Sequence, residues 1–166
     1  MTRTTVTRSP SSAGVILIIP STSYRTAAFM EAAINLDLKV MVITERTQVF
    51  EEVYPDSIIT LDFKNWTDHL PQIRAWTEGV ELKTVVGVDE ESVLIAAEIS
   101  SSLGIRHNSL DSVRKTRDKY LMRSSLEEAG LQSPWFHRFP IHGEASEIVE
   151  ALSFPCVLKP TFLSAS

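Results

Sequence analysis

Residues 15–19 read VILII, a continuous and mostly β-branched run with no polar face. A run this short and this apolar marks a strand buried on both sides, the condition of strands in a parallel sheet covered by helices. Similar short runs return at 40–43 (VMVI), 57–61 (SIITL) and 84–87 (TVVG). Helical patterns lie between them. Residues 24–36 form one, with Ala27, Ala28, Ala32 and Ala33 expected to allow close packing on the sheet. Residues 66–77 form another, with Leu70 and Ile73 on one face and Pro71 near its start. Asp89 caps a third that runs to Leu103, where Ile95, Ala96, Ile99 and Leu103 share a face and Gly104 ends the helix. Alternation of this kind requires crossover connections and predicts an α/β fold built on a doubly wound, mostly parallel sheet, a Rossmann-like arrangement.

The pattern changes near residue 109. A short strand at 105–107 and a short helix through about Lys115 lead to a helix capped by Asp118. Leu121, Met122, Ser125, Leu126 and Ala129 fall on one face of it, and Gly130 and Pro134 bar its continuation. Strands are expected at 135–139 and 156–159, with a helix at 144–152 between them. This second stretch is an incomplete α+β lobe, too small for an independent core. The organisation expected is a mobile, Ser/Thr/Arg-rich tail at 1–13, a wound domain at 14–108 and an unfinished lobe at 109–166.

Bulk properties remove several function classes. A net charge of −5 argues against nucleic acid or a membrane surface as partner. The single cysteine, Cys156, cannot form a disulfide within the chain and fits a reducing, cytoplasmic home. No apolar run approaches the roughly 18 residues of a spanning helix. The four histidines are scattered without ligand spacing.

Two lysines stand out. Lys159 ends the apolar run at 156–158, where an ammonium must reach water or an anion. Lys119 sits at the start of a helix, near N–H groups that attract anions. The segment 112–123 (SVRKTRDKYLMR) around it is strongly basic in an otherwise acidic chain, and Arg117 and Arg123 are its candidates for ligand contact. In the first domain, Ser21, Thr22 and Ser23 follow the first strand and can either cap the next helix or bind a substrate carboxylate. Asp89, Glu90 and Glu91 follow the fourth strand and lie at the carboxyl edge, where ligands bind in such sheets.

The segments 117–136 (RDKYLMRSSLEEAGLQSPWF) and 154–166 (FPCVLKPTFLSAS) together resemble the ATP-grasp superfamily, in its carboxylate–amine ligase branch. In that family an Asp-Lys opens a helix ending at Ala-Gly, and a Phe/Tyr-Pro-x-Val/Ile-x-Lys-Pro strand follows, then a loop of small residues over the phosphates. The resemblance implies a pre-ATP-grasp domain at 14–108 and the first part of an ATP-grasp domain at 109–166. It implies that Lys119 and Lys159 bind ATP phosphates, that Ser164 and Ser166 begin the phosphate loop, and that Ser21, Thr22, Ser23 and Glu90 face the substrate. Lysine at 159 leans away from the carbamoyl-phosphate synthetase branch, where arginine is usual.

The implied reaction is transfer of the γ-phosphoryl group of ATP to a carboxylate, giving an acyl phosphate that an amine then attacks. The expected partners are small-molecule carboxylate and amine substrates, ATP and Mg2+, with the metal ligands beyond residue 166 and a homodimer left open. The chain by itself is expected to be inactive. The alternative is a non-catalytic, truncated interaction or regulatory module. A nicotinamide-dependent enzyme is disfavoured because the turn after the first strand, at 19–24, carries no glycine.

Overall fold

The computed structural model describes residues 13–46 and 57–162. The tail expected at 1–13 lies almost wholly outside the described residues, as do Ser164 and Ser166. The chain divides between Leu110 and Asp111 into two compact units.

The first unit is a four-stranded parallel sheet. Its strands are β1 (Ala13–Ile18), β2 (Lys39–Thr44), β3 (Ile58–Thr60) and β4 (Glu81–Gly87), in the order β3-β2-β1-β4. All three neighbouring pairs are parallel. Helix α1 (Thr26–Asn35) joins β1 to β2, α2 (Leu70–Trp76) joins β3 to β4, and α3 (Glu90–Leu103) follows β4. The apolar runs pack on both faces, as two-sided burial demands. Ile16, Ile18, Met41, Ile43, Ile59 and Val85 meet Trp66, Ile73, Ile95 and Ile99 on one side. Val15, Leu17, Ile19, Val40 and Val42 meet Ala33, Phe29 and Met30 on the other. The expected doubly wound sheet is therefore present, with α1 alone on one face and α2 and α3 on the other.

Two details differ from the sequence reading. Of the four alanines expected to seat α1 on the sheet, only Ala33 is buried, while Ala27, Ala28 and Ala32 are exposed. The seating face runs instead through Phe29, Met30 and Ala33, because the larger side chains remove more apolar area from water. The expected single helix at 66–77 is a 3-10 turn at Trp66–His69 followed by α2. Pro71 stands in the first turn of α2, where its missing N–H has no intrahelical partner to lose.

The end of β4 is tightly fitted to the start of α3. A Cβ on Gly87 would lie 2.6 Å from the Ser92 carbonyl carbon and from the Val93 nitrogen, so no side chain fits there. Ser92 Oγ accepts from the Asp89 N–H at 3.2 Å and donates to the Asp89 carbonyl at 2.8 Å. Gly104 closes α3 with φ at 70°, the left-handed conformation a glycine takes without strain.

The second unit holds α5 (Lys119–Glu128), α6 (Ala145–Glu150) and, from its second residue on, α4 (Leu110–Arg117). The strands expected at 105–107, 135–139 and 156–159 are absent: these residues form no sheet ladder. Val157 and Leu158, expected in a buried strand, are 78% and 84% exposed. A strand exists only with a hydrogen-bonded neighbour, and no such neighbour is present among the described residues. Among the described residues, no helix is long and apolar enough to cross a membrane.

Candidate functional site

The carboxyl edge of the first unit's sheet gathers the loops that follow its strands. With the order β3-β2-β1-β4, the winding reverses between β1 and β4, and the crevice of such a sheet opens at this reversal. Ser21, Thr22 and Ser23 lie in the loop after β1, Glu45 follows β2, and Asp89 and Glu90 follow β4. Arg25 reaches from the β1 side towards the β4 side, its Nε 4.0 Å from Asp89 Oδ1. Both side chains are partly exposed, so the pair orients the two loops more than it stabilises them.

Ser21 is bound within the chain. Its backbone N–H donates to Glu45 Oε1 at 2.8 Å, and its hydroxyl donates to the same oxygen at 2.6 Å. Ser23 Oγ accepts from the Arg25 N–H at 3.2 Å and so serves the turn that leads into α1. Thr22 and Glu90 are exposed at the edge. The loop thus offers two of its expected anion-binding donors to a carboxylate of its own chain. Burial pushes the Glu45 carboxyl up, but the two Ser21 hydrogen bonds, a bond from its own backbone and the charge of Arg46 together hold the group below the ordinary glutamate value. Sequence reasoning did not single out Glu45. The usable signal was an acidic residue directly after the second strand, at the carboxyl edge of a parallel sheet.

A cavity of about 290 Å3 lies along the α1 face of β2 and β3, lined among others by Met30, Ile34, Val40, Val42 and Ile58. Its lining is mainly aliphatic.

In the second unit, Asp118 caps α5 as its position predicts. Its carboxylate is 4% exposed, and Oδ1 accepts from the N–H groups of Tyr120 at 2.8 Å and Leu121 at 3.1 Å. The Lys119 N–H donates to the Thr161 carbonyl at 3.0 Å. The first amides of α5 are therefore engaged by the chain itself. Lys119 is half-buried and Lys159 is exposed. The bond to Thr161 brings the backbone at Lys119 beside the segment that carries Lys159, two residues away along the chain. Arg123 Nη1 donates to Ser133 Oγ at 3.2 Å, the Tyr120 ring meets Phe136 edge-on, and the Arg138 guanidinium lies over Tyr120 at 4.6 Å. These contacts fix the extended segment at 133–138 against α5 without any ladder. Among the described residues, no group of three or more acidic, histidine or cysteine side chains could hold a metal ion.

No family model matches the sequence, and no curated protein does. A search of solved structures finds the crystal structure of an L-amino acid ligase from Bacillus licheniformis, at TM-score 0.68 and 22% sequence identity. The likeness covers 90% of this chain but 37% of that one, so this chain spans little more than a third of the length of the protein it resembles. At this identity the likeness is one of fold.

Proposed function

We propose that this chain is the N-terminal part of an ATP-dependent ligase that activates a carboxylate as an acyl phosphate for attack by an amine. The observation that carries the reading is the fold: a likeness to a solved L-amino acid ligase covers 90% of this chain. The bond from Lys119 to Thr161 supports it independently, because it draws the two lysine-bearing segments of the resemblance into one place.

In this reading Lys119 and Lys159 neutralise the polyphosphate of ATP. A lysine ammonium is a compact point charge suited to that task, and it offsets the negative charge that develops during phosphoryl transfer. Ser164 and Ser166 begin the loop that closes over the phosphates. Thr22, Ser23 and Glu90 face the carboxylate and amine substrates from the sheet edge, with Ser21 setting the loop's shape through Glu45. Magnesium would help to offset the charge on the phosphates, and we assign its ligands to the part of the fold beyond residue 166. The domain limits proposed are 14–108 for the wound domain and 109–166 for the start of the ATP-grasp domain, with the cytoplasm as the setting.

The test is titration of Mg-ATP into the chain by calorimetry, together with an assay for product. Weak binding, with a dissociation constant above the micromolar range, and no turnover are expected. Micromolar affinity or product formation by the chain alone overturns the division of labour proposed here. Binding that is unchanged when both lysines are replaced by alanine overturns the ligase reading itself.

A further inference from the structure

We propose that Glu45 is the receptor for the ammonium group of an amino-acid substrate. The substrate class rests on the ligase reading; the receptor geometry does not.

Glu45 stands immediately after β2, at the carboxyl edge of the parallel sheet. Its head group is oriented by two donors from one residue: the Ser21 N–H and the Ser21 hydroxyl both converge on Oε1, at 2.8 and 2.6 Å. The other oxygen, Oε2, has no hydrogen-bond partner among the described residues and is shut off from solvent. A carboxylate oxygen that is denied both water and a donor is costly, more so when the group is charged. Protonation does not relieve it near neutral pH, because the hydrogen bonds from Ser21 and from its own backbone, with the charge of the neighbouring Arg46, outweigh burial and hold the carboxyl below its ordinary value. What relieves it is a donor, and the strongest donor for an ionised carboxylate is a cation bearing N–H groups.

The alternatives fit less well. An anion finds the two Ser21 donors already taken. A divalent cation needs further acidic or imidazole ligands, and no such cluster exists among the described residues. A primary ammonium needs one oriented carboxylate and can satisfy its remaining N–H groups with backbone carbonyls or water. The loop after β1 thus works in the opposite sense to that expected from its serines. It does not grip a substrate carboxylate with Ser21; it aims a carboxylate of the chain at the substrate's amine. Since Oε2 is covered, an arriving ammonium must displace the atoms above it, and the gain comes from the orphaned oxygen acquiring its partner.

The experiment titrates the full chain with two half-substrates. L-alanine methyl ester carries the ammonium without a carboxylate; N-acetyl-L-alanine carries the carboxylate without an ammonium. The ester is expected to bind, seen by amide shift changes in residues 19, 21–23 and 44–46, and the acetyl compound to leave those amides unmoved. Glu45→Gln keeps an oxygen for Ser21 but removes the charge, and should weaken ester binding about tenfold or more, near the weight of one charge-assisted bond. Ser21→Ala keeps the carboxylate and the Ser21 N–H bond, and should retain ester binding within a few-fold; it serves as the reference where Glu45→Gln melts early. No ester binding, equal binding of the acetyl compound, or full ester affinity in Glu45→Gln overturns the proposal. Mg-ATP titrated into the same samples separates the two readings: binding that is unchanged when Lys119 and Lys159 are both replaced by alanine removes the ligase assignment and leaves the ester result standing.

Discussion

The backbone N–H of Lys119 donates to the carbonyl of Thr161 at 3.0 Å, joining the start of α5 to the segment just past Lys159. The two residues are far apart in sequence, and in the ligase reading proposed above the bond sets the two lysine-bearing segments side by side. Lys119→Ala and Lys159→Ala are each expected to weaken Mg-ATP binding about tenfold or more, since a hydrogen bond to a charged group contributes about 1.5–3 kcal/mol. The double variant should fall short of the sum, because groups meeting one polyphosphate are coupled. Calorimetry on the four proteins checks this, and strict additivity would place the lysines on separate anions.

Asp118 does two things at once: its side chain is buried and it satisfies two amides at the start of α5. Asp118→Ala should destabilise that helix by about 1 kcal/mol, the usual weight of an N-cap. Hydrogen exchange reads this locally. The amides of Tyr120 and Leu121 should exchange faster, while those of α3 keep their protection. Equal loss of protection in both helices would mean that Asp118 supports more than its own cap.

Gly87 permits a contact between backbones that no side chain tolerates. An added Cβ would stand 2.6 Å from backbone atoms of Ser92 and Val93, which cannot swing away as a flexible side chain would. Gly87→Ala should cost about 1–3 kcal/mol, in the range of overpacked sites, and lower the melting temperature measurably. Gly104→Ala acts by another route, through a φ of 70° at the end of α3, and should cost about 1 kcal/mol. A melt of Gly87→Ala at the parent temperature would show that α3 can slide away from β4.

How far the sequence discloses this molecule depends on where each element finds its partner. β1, β2 and α3 were legible because their burial is settled within the first unit: a β-branched run, a helix with one apolar face, and an aspartate and a glycine at its ends. The cap at Asp118 was legible because it is local. The strand expected at 156–159 was not, since an apolar run specifies a wish for burial and not the neighbour that grants it. Glu45 was hidden for a related reason. Its importance lies in Ser21, twenty-four residues earlier, and only the parallel pairing of β1 with β2 brings the two together.

The Glu45 carboxyl gives a pH dependence of known sign. Its folded value lies below its ordinary one, so the unfolded chain takes up the proton first as pH falls. The pairing with Ser21 therefore stabilises the fold fully above the ordinary glutamate range, near pH 4.3, and loses that contribution as pH drops through the depressed value. Denaturation of the parent and of Glu45→Gln between about pH 7 and 3 should show a stability gap that narrows towards the acid end. A gap that widens there would mean that burial, not the Ser21 bonds, governs the group.

Val157 and Leu158 supply the sharpest contrast between sequence and structure. In a buried strand, replacing either by serine would remove most of a core side chain and cost roughly 2–5 kcal/mol. At 78% and 84% exposure there is little burial to lose. Val157→Ser and Leu158→Ser should each leave the stability of this chain within about 0.5 kcal/mol of the parent, as surface changes do. Chemical denaturation checks this: a loss of several kcal/mol in either variant would show that the run is buried after all.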